Sequence, residues 1–401
     1  MHNTANLNNL PTAFSYKRDK ELRFTYYVFK MLKNPLLVRL LSEFANGILK
    51  YNIPLKSLIK NTVFKIFCSG ENISEAFSTI KKLEKYKVRS VLDYVAEGEK
   101  SEKAFTANTT VIIENINKLG QEAPGNAVSI KFTSLEDVEF YKRMSVALVE
   151  GHAIDNARYE RLLRRIDTIC YAASEHRVMV YFDAEDRYMQ DLFDLIVEMT
   201  MEKYNKKEAI IYNTLQMYLT DRLSYLRHLL EDSLSKDYCP GIKLVRGAYA
   251  EKERETAILE KKISPVYPTK EQTDIAFNEA LELCLKNHNR VYTCIASHNE
   301  YSTHLALDCI NRYGITDHYQ KVKFSQLYGM RDNLTFNLGA MGYNSSKYLP
   351  YGEVKKAIPY LIRRAEENSS IGPQLIEEIT RLENELSRRR AMSRQNQAAS
   401  L

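Results

Sequence analysis

Eight short runs of β-branched and aromatic residues, spaced by longer amphipathic stretches, most constrain what this 401-residue chain can fold into. They read SVLDYV (90–95), AVSIKF (127–132), VMVYFD (178–183), AIIYNT (209–214), GIKLVRG (241–247), VYTCIAS (291–297), KVKFSQ (321–326) and SKYLPY (346–351). Runs this short and apolar suit strands covered on both faces, as a parallel sheet requires. Helical patterns fill the gaps, among them residues 274–286, where Asp274 can cap, and residues 301–313. Strand followed by helix, eight times over, is the pattern of a closed barrel. The expected class is therefore α/β, a distorted (β/α)8 TIM-like barrel with an N-terminal helical extension. An open doubly wound sheet is the competitor, but no GxGxxG follows any of the runs.

The barrel is assigned to residues 88–370. Residues 1–87 form the helical region ahead of it, broken at Asn34-Pro35, Asn52-Ile53-Pro54 and Ser69-Gly70. Within that region Asn72 can cap a helix whose Phe77, Ile80 and Leu83 recur every third residue, with Glu75 three after the cap. Residues 371–401 complete the chain. Leu375, Ile379, Leu382 and Leu386 make one stripe of a terminal helix, and the tail SRQNQAASL is expected to be disordered. Apolar content of 44% and charged content of 27% exclude a membrane bundle and a disordered chain. A net charge of +6 favours anionic small molecules or surfaces without the concentration of charge that nucleic-acid binding needs. Cys68, Cys170, Cys239, Cys284, Cys294 and Cys309 show no CxxC spacing and read as reduced, mostly buried thiols. No uncharged apolar run reaches the length of a membrane span, and no signal-peptide core opens the chain. Asp19 and Glu21 argue against a transit peptide, so the expected location is cytoplasmic.

In a barrel of this kind the chemistry sits at the carboxyl ends of the strands. Those ends supply Asp93, Lys131, Asp183 with Glu185, Gln216, Lys243 with Arg246 and Tyr249, His298 with Asn299, Gln326 with Leu327, and Tyr348. Asp183 and Glu185 could hold a metal, but the carboxylates and histidines around them lack ligand spacing, and no metal is expected. His298 has the commoner alternative of a satisfied core histidine.

Beyond the last run, KYLPYGEVKKAIPYLIRRAEEN (347–368) sets Arg363 and Arg364 on a helix. Adjacent side chains there project roughly 100° apart, so one guanidinium can fork a carboxylate while the other closes from the side. Glu367 follows at a spacing that lets it orient either one. The assembled set is strongly cationic and calls for an anionic ligand. No Cys or Ser stands with an obvious His base, which favours redox chemistry on a bound cofactor over hydrolysis.

The strings DYVAEGE, SIKFTSL, YFDAED, YNTLQMYL, GIKLVRGAYAEKER, ASHNE, FSQLYGM, KYLPYG and IPYLIRRAEEN, in this order, resemble the proline dehydrogenase family. The resemblance spans about residues 88–370 and is to the monofunctional enzymes rather than to the fusions carrying an aldehyde dehydrogenase. It implies a distorted (β/α)8 barrel holding FAD, which oxidises L-proline to Δ1-pyrroline-5-carboxylate and passes electrons to a membrane quinone, in catabolism toward glutamate. By position it implies that Arg363, Arg364 and Lys131 pair with the proline carboxylate. Tyr348 packs on the substrate ring, Leu327 walls it, and Asp183 and Tyr249 complete the pocket. On the flavin side it implies Gln216, Lys243, Arg246, Gly247, Ala248 and His298, with Glu367 grouped there as support for the arginines. Ala184 and Glu185 flank the site. Some branches carry arginine where this chain has Lys243, a narrower donor than a guanidinium fork.

Two other readings stay open on the sequence. A folate-reducing flavin barrel would turn the arginine pair toward another carboxylate, and a catalytically silent scaffold at a membrane surface would be colourless. Tyr348 and Leu327 speak for a small ring. Between Phe24 and Phe67, Lys30, Lys33, Arg39, Lys50, Lys56, Lys60 and Lys65 stand against Glu43, interleaved with aromatic and aliphatic residues. That segment is the expected contact with an anionic membrane surface, with packing on the barrel as the alternative. A protein peripheral to the inner membrane face is the corresponding location.

Overall fold

The computed structural model describes residues 6–34, 38–39, 43, 59–95, 100–150, 156–370 and 372–399. Each of the eight expected runs forms a strand: β1 (Val88–Tyr94), β2 (Ala127–Lys131), β3 (Met179–Asp183), β4 (Ile211–Gln216), β5 (Gly241–Val245), β6 (Tyr292–Ala296), β7 (Val322–Leu327) and β8 (Asn344–Tyr351). They close in sequence order into a barrel, and β1 through β7 pair in parallel. The chain divides into two compact units, Arg89–Ser325 and Met1–Val88 with Gln326–Leu401, a different cut from the linear division expected.

In the first unit, register lines up Thr214, Lys243, Cys294 and Lys323 across β4 to β7. All four are buried, in a sheet whose outward residues Ile242, Leu244, Ile295 and Phe324 are buried too. Two lysines leave this layer in opposite directions. The amine of Lys243 reaches Asp183 at the end of β3, and that of Lys323 donates to the Gln320 carbonyl ahead of β7. The Lys270–Lys286 helix starts four residues before the expected Asp274. Thr269 caps it, accepting from the Gln272 amide while the Gln272 side chain accepts from the Thr269 amide. Asp274 therefore lies inside the helix, available for a role other than capping.

In the second unit, Asn72 caps the Ile73–Glu84 helix as expected, its side chain accepting from the Glu75 amide. Leu10–Phe14 packs along Asp332–Ala340, where Tyr16 stacks on Phe336 with ring centres 4.2 Å apart. The Gly372–Ala399 helix lies along Asp19–Leu32, and Arg389 of the former donates to the carbonyls of Phe14 and Lys17 and pairs with Asp19. That helix runs on to Ala399, into the tail expected to be disordered. No Gly or Pro follows Pro373, and the Glu385 pairs with Arg388 and Arg389 support its middle turns. Of the basic segment 24–67, Phe29, Phe64, Ile66 and Phe67 are buried and Lys60 pairs with Glu71; residues 35–37, 40–42 and 44–58 lie outside the described residues. No described helix is long and apolar enough to cross a membrane.

Candidate active site

The Arg89–Ser325 unit brings Lys131, Asp183, Gln216, Lys243, Arg246 and His298 to the carboxyl ends of β2 to β6. Lys131 and Asp183 are register neighbours that end β2 and β3. Asp183 accepts from the Lys243 amine at 2.5 Å, a bond that keeps a cation only 5% exposed supplied with a counter-charge. The Lys243 amine also lies 5.6 Å from the Tyr181 ring centre. Burial pushes the Tyr181 phenol and the Cys294 thiol up, so both stay protonated, and Cys294 is no nucleophile.

Glu185 is bound up with the turn after β2. Its two carboxylate oxygens accept from the Thr133 amide at 3.1 Å and the Thr133 hydroxyl at 2.6 Å. This braces the turn Phe132–Ser134 directly after Lys131, whose carbonyl accepts from the Ser134 hydroxyl at 2.6 Å. Among the described residues no group of three or more His, Cys, Asp or Glu is gathered for a metal.

The connection after β5 carries the next group. Gly247 takes φ +112°, and a Cβ there would stand 2.0 Å from the Tyr218 ring, so only glycine passes. The turn leaves Gly247 and Ala248 exposed beside Arg246. Arg246 is held by three bonds, donating to Asp274 at 2.6 Å, Ser297 at 2.9 Å and Ser302 at 3.0 Å, and it lies over the Phe277 ring. Burial alone would raise the Asp274 carboxyl; hydrogen bonds from Lys270 and Arg246 outweigh it and hold the group below its usual value. Sequence reasoning missed Asp274, Ser297 and Ser302 as the anchors of Arg246, and only the Arg246 motif itself pointed toward them. Tyr249 is half-buried and packs against Tyr218, Leu219 and Val266. His298 is half-buried as well, between Ser297 and the capping Asn299, and is not a core histidine.

In the other unit Leu327 ends β7, and Tyr348 lies in β8 with its carbonyl accepting from the Tyr328 amide at 3.0 Å. Arg363 and Arg364 sit half-buried on the Val354–Ser370 helix, the Arg364 guanidinium 5.4 Å from the Tyr360 ring centre. The side chain of Glu367 is outside the described residues.

The donors suit a flat, polar, phosphorylated cofactor. Gln216 is 3% exposed and accepts from the Tyr218 hydroxyl, leaving an amide edge for a heterocycle. Open backbone at Gly247 and Ala248 beside a cation suits an anionic group.

A model of the proline dehydrogenase family matches residues 76–375. The mitochondrial proline dehydrogenase 1 of Dictyostelium discoideum is 31% identical over 419 residues, covering 93% of this chain and 73% of that protein. The hydroxyproline dehydrogenase of Xenopus laevis is 30% identical over 365 residues, 82% of this chain and 78% of its own. Among solved structures, proline utilization A from Bdellovibrio bacteriovorus, inactivated by N-propargylglycine, superposes with a TM-score of 0.68 at 22% identity. It covers 90% of this chain, which spans only 38% of that one, and the likeness is one of fold.

Proposed function

This chain belongs to the proline dehydrogenase family, and on that premise we propose that it oxidises L-proline to Δ1-pyrroline-5-carboxylate with FAD as cofactor and a membrane quinone as final acceptor. The observation that carries the reading is the chemistry of the strand ends: fixed cations, a carboxylate and polar donors, with the nearby Cys294 thiol kept protonated by burial. Such a set binds and orients an anionic substrate; it does not attack one.

Proline is a zwitterion whose carboxylate needs a cationic clamp. We assign that clamp to Lys131, Arg363 and Arg364. Fixing the carboxylate turns a bimolecular encounter into an oriented one, worth several orders of magnitude in rate. Lys131 is suited to the task because the Glu185–Thr133 brace holds the turn that follows it. Asp183 fixes the Lys243 amine at the barrel mouth, and the positive charge there favours electron gain by a bound cofactor. Gln216, Lys243, Arg246, Gly247, Ala248 and His298 would hold FAD, with Glu367 supporting the arginines. FAD, when bound, supplies the acceptor for a hydride from the carbon beside the amine. Tyr348 packs on the substrate ring and Leu327 walls it, which favours proline over a ring-hydroxylated analogue; Tyr249 completes the pocket. Delivery to a quinone places the protein at a membrane surface as a peripheral component, in proline catabolism toward glutamate.

The test is steady-state turnover of L-proline with a soluble quinone, with the cyclic imine followed by NMR. Flavin-loaded protein that reduces the quinone with tetrahydrofolates and not with proline would overturn the assignment.

A further inference from the structure

Lys347, the neighbour of Tyr348 on β8, belongs to a buried ionic cluster that the proposed reaction does not use. Asp332, 2% exposed, opens the Asp332–Ala340 helix directly after Arg331, which takes the left-handed conformation at φ +50°. One carboxylate oxygen accepts from the Tyr16 hydroxyl at 2.8 Å and pairs with Lys17 at 2.9 Å. The other pairs with Lys347 at 2.9 Å, and the Lys347 amine also donates to the Met330 carbonyl. Arg331 extends the cluster to Glu377 at 2.9 Å and Glu378 at 3.7 Å on the terminal helix.

Lys347 is the residue before Tyr348 on β8, and Tyr328 is the residue after Leu327 on β7. The Tyr328–Met330 turn is thus clasped to β8 at two points, from the Tyr328 amide to the Tyr348 carbonyl and from the Lys347 amine to the Met330 carbonyl. The second of these points depends on where the Lys347 amine stands, and Asp332 positions it. Asp332 is in turn fixed from the opposite side by Tyr16 and Lys17. Both come from a segment ahead of residues 76–375, where the family model matches.

We infer that Tyr16 and Lys17 are positioning residues that, through Asp332 and Lys347, set where Tyr348 and Leu327 stand and so determine selectivity for an unsubstituted five-membered ring over a hydroxylated one. The inference rests on the proposed placement of Tyr348 against the substrate ring. Removing Lys17 leaves the Asp332–Lys347 pair neutral as a unit, so the cluster survives, but only the Tyr16 hydroxyl still holds Asp332 on that side. Asp332 shifts toward Lys347 and draws its amine away from the Met330 carbonyl, which loosens the clasp. Positional drift of this kind relaxes a steric sieve before it unfolds a barrel.

The experiment measures the ratio of kcat/KM for L-proline to that for trans-4-hydroxy-L-proline, alongside flavin content and Tm. The full-length proteins compared are wild type, Lys17→Met, Lys17→Arg, Tyr16→Phe, Tyr348→Ser and the double variant Lys17→Met with Tyr348→Ser. The expected result is a ratio lowered about three- to tenfold by Lys17→Met, within the range of coupling between contacting residues, and restored by Lys17→Arg. Tyr348→Ser also lowers the ratio, and the double variant is no lower than Tyr348→Ser alone. Lower Tm with an unchanged ratio in Lys17→Met and Tyr16→Phe, while Tyr348→Ser loses discrimination, would leave the tyrosine sieve standing and overturn the inference. An unchanged ratio in Tyr348→Ser overturns both. Should Lys17→Met not fold, Tyr16→Phe, which removes one hydroxyl, decides on the same criterion.

Discussion

Replacing Lys323 by Met should stabilise the protein at neutral pH, and the gain should turn into a loss as the pH rises. Lys323 lies fully buried in β7, its amine donating to the Gln320 carbonyl at 2.5 Å and standing 5.5 Å and 5.6 Å from the ring centres of Tyr212 and Tyr292. Burial pushes its ammonium down from 10.5 to about 8. That difference, 10.5 − 8, corresponds to about 3 kcal/mol against the charged form in the folded state. The hydrogen bond and the two ring contacts return about 1–2 kcal/mol, so Lys323→Met should gain about 1 kcal/mol at pH 7. Between pH 8 and 10.5 the folded lysine is neutral while the unfolded one still carries its proton. The unfolded chain then binds more protons, so wild-type stability climbs with pH through that window and the variant lacks this climb. Urea unfolding of both proteins from pH 6.5 to 10.5 reads the difference, and subtraction removes the tyrosine and cysteine titrations they share. Parallel stability curves would refute the reasoning.

Three further outcomes follow from the site. Arg363→Met and Arg364→Met should each raise KM for proline by the equivalent of roughly 2–4 kcal/mol with the flavin spectrum intact, and unchanged kinetics in both would remove the carboxylate clamp. Glu185→Ala should strip two hydrogen bonds from Thr133, costing about 1–3 kcal/mol of stability and weakening proline affinity through Lys131; loss of stability with wild-type KM would separate Glu185 from the site. Binding to anionic vesicles should be weak and salt-sensitive, each basic side chain near the surface contributing about 1 kcal/mol. Changing Lys56, Lys60 and Lys65 to Glu should reduce co-sedimentation, and equal sedimentation of both proteins would remove residues 24–67 from membrane contact.

The barrel is legible because its strands are buried on both faces and are therefore written as short, mostly apolar runs rich in β-branched and aromatic residues. The residues at their carboxyl ends follow from the extent of each run, which is why Lys131, Asp183, Gln216 and Leu327 each end a strand, while Lys243 sits at the centre of β5. Partnerships were another matter. Asp274 stands where a helix cap is plausible, yet Thr269 caps and Asp274 holds Arg246, a choice decided by packing across two connections. Tyr16 and Asp332 are 316 positions apart, and nothing in local periodicity joins them. The tail is polar throughout, yet with no Gly or Pro after Pro373 the helix persists to Ala399, which composition alone does not reveal.

The central claim is that these strand-end and helix residues present L-proline to a bound flavin, and one anaerobic mixing experiment tests it. Protein purified or refolded with excess FAD should show flavin absorption bands that bleach when L-proline is added without oxygen, and the Arg363→Met and Arg364→Met proteins should bleach only at much higher proline concentrations. A colourless protein after loading with FAD, or flavin bands that L-proline leaves unchanged in the wild type, would contradict the account.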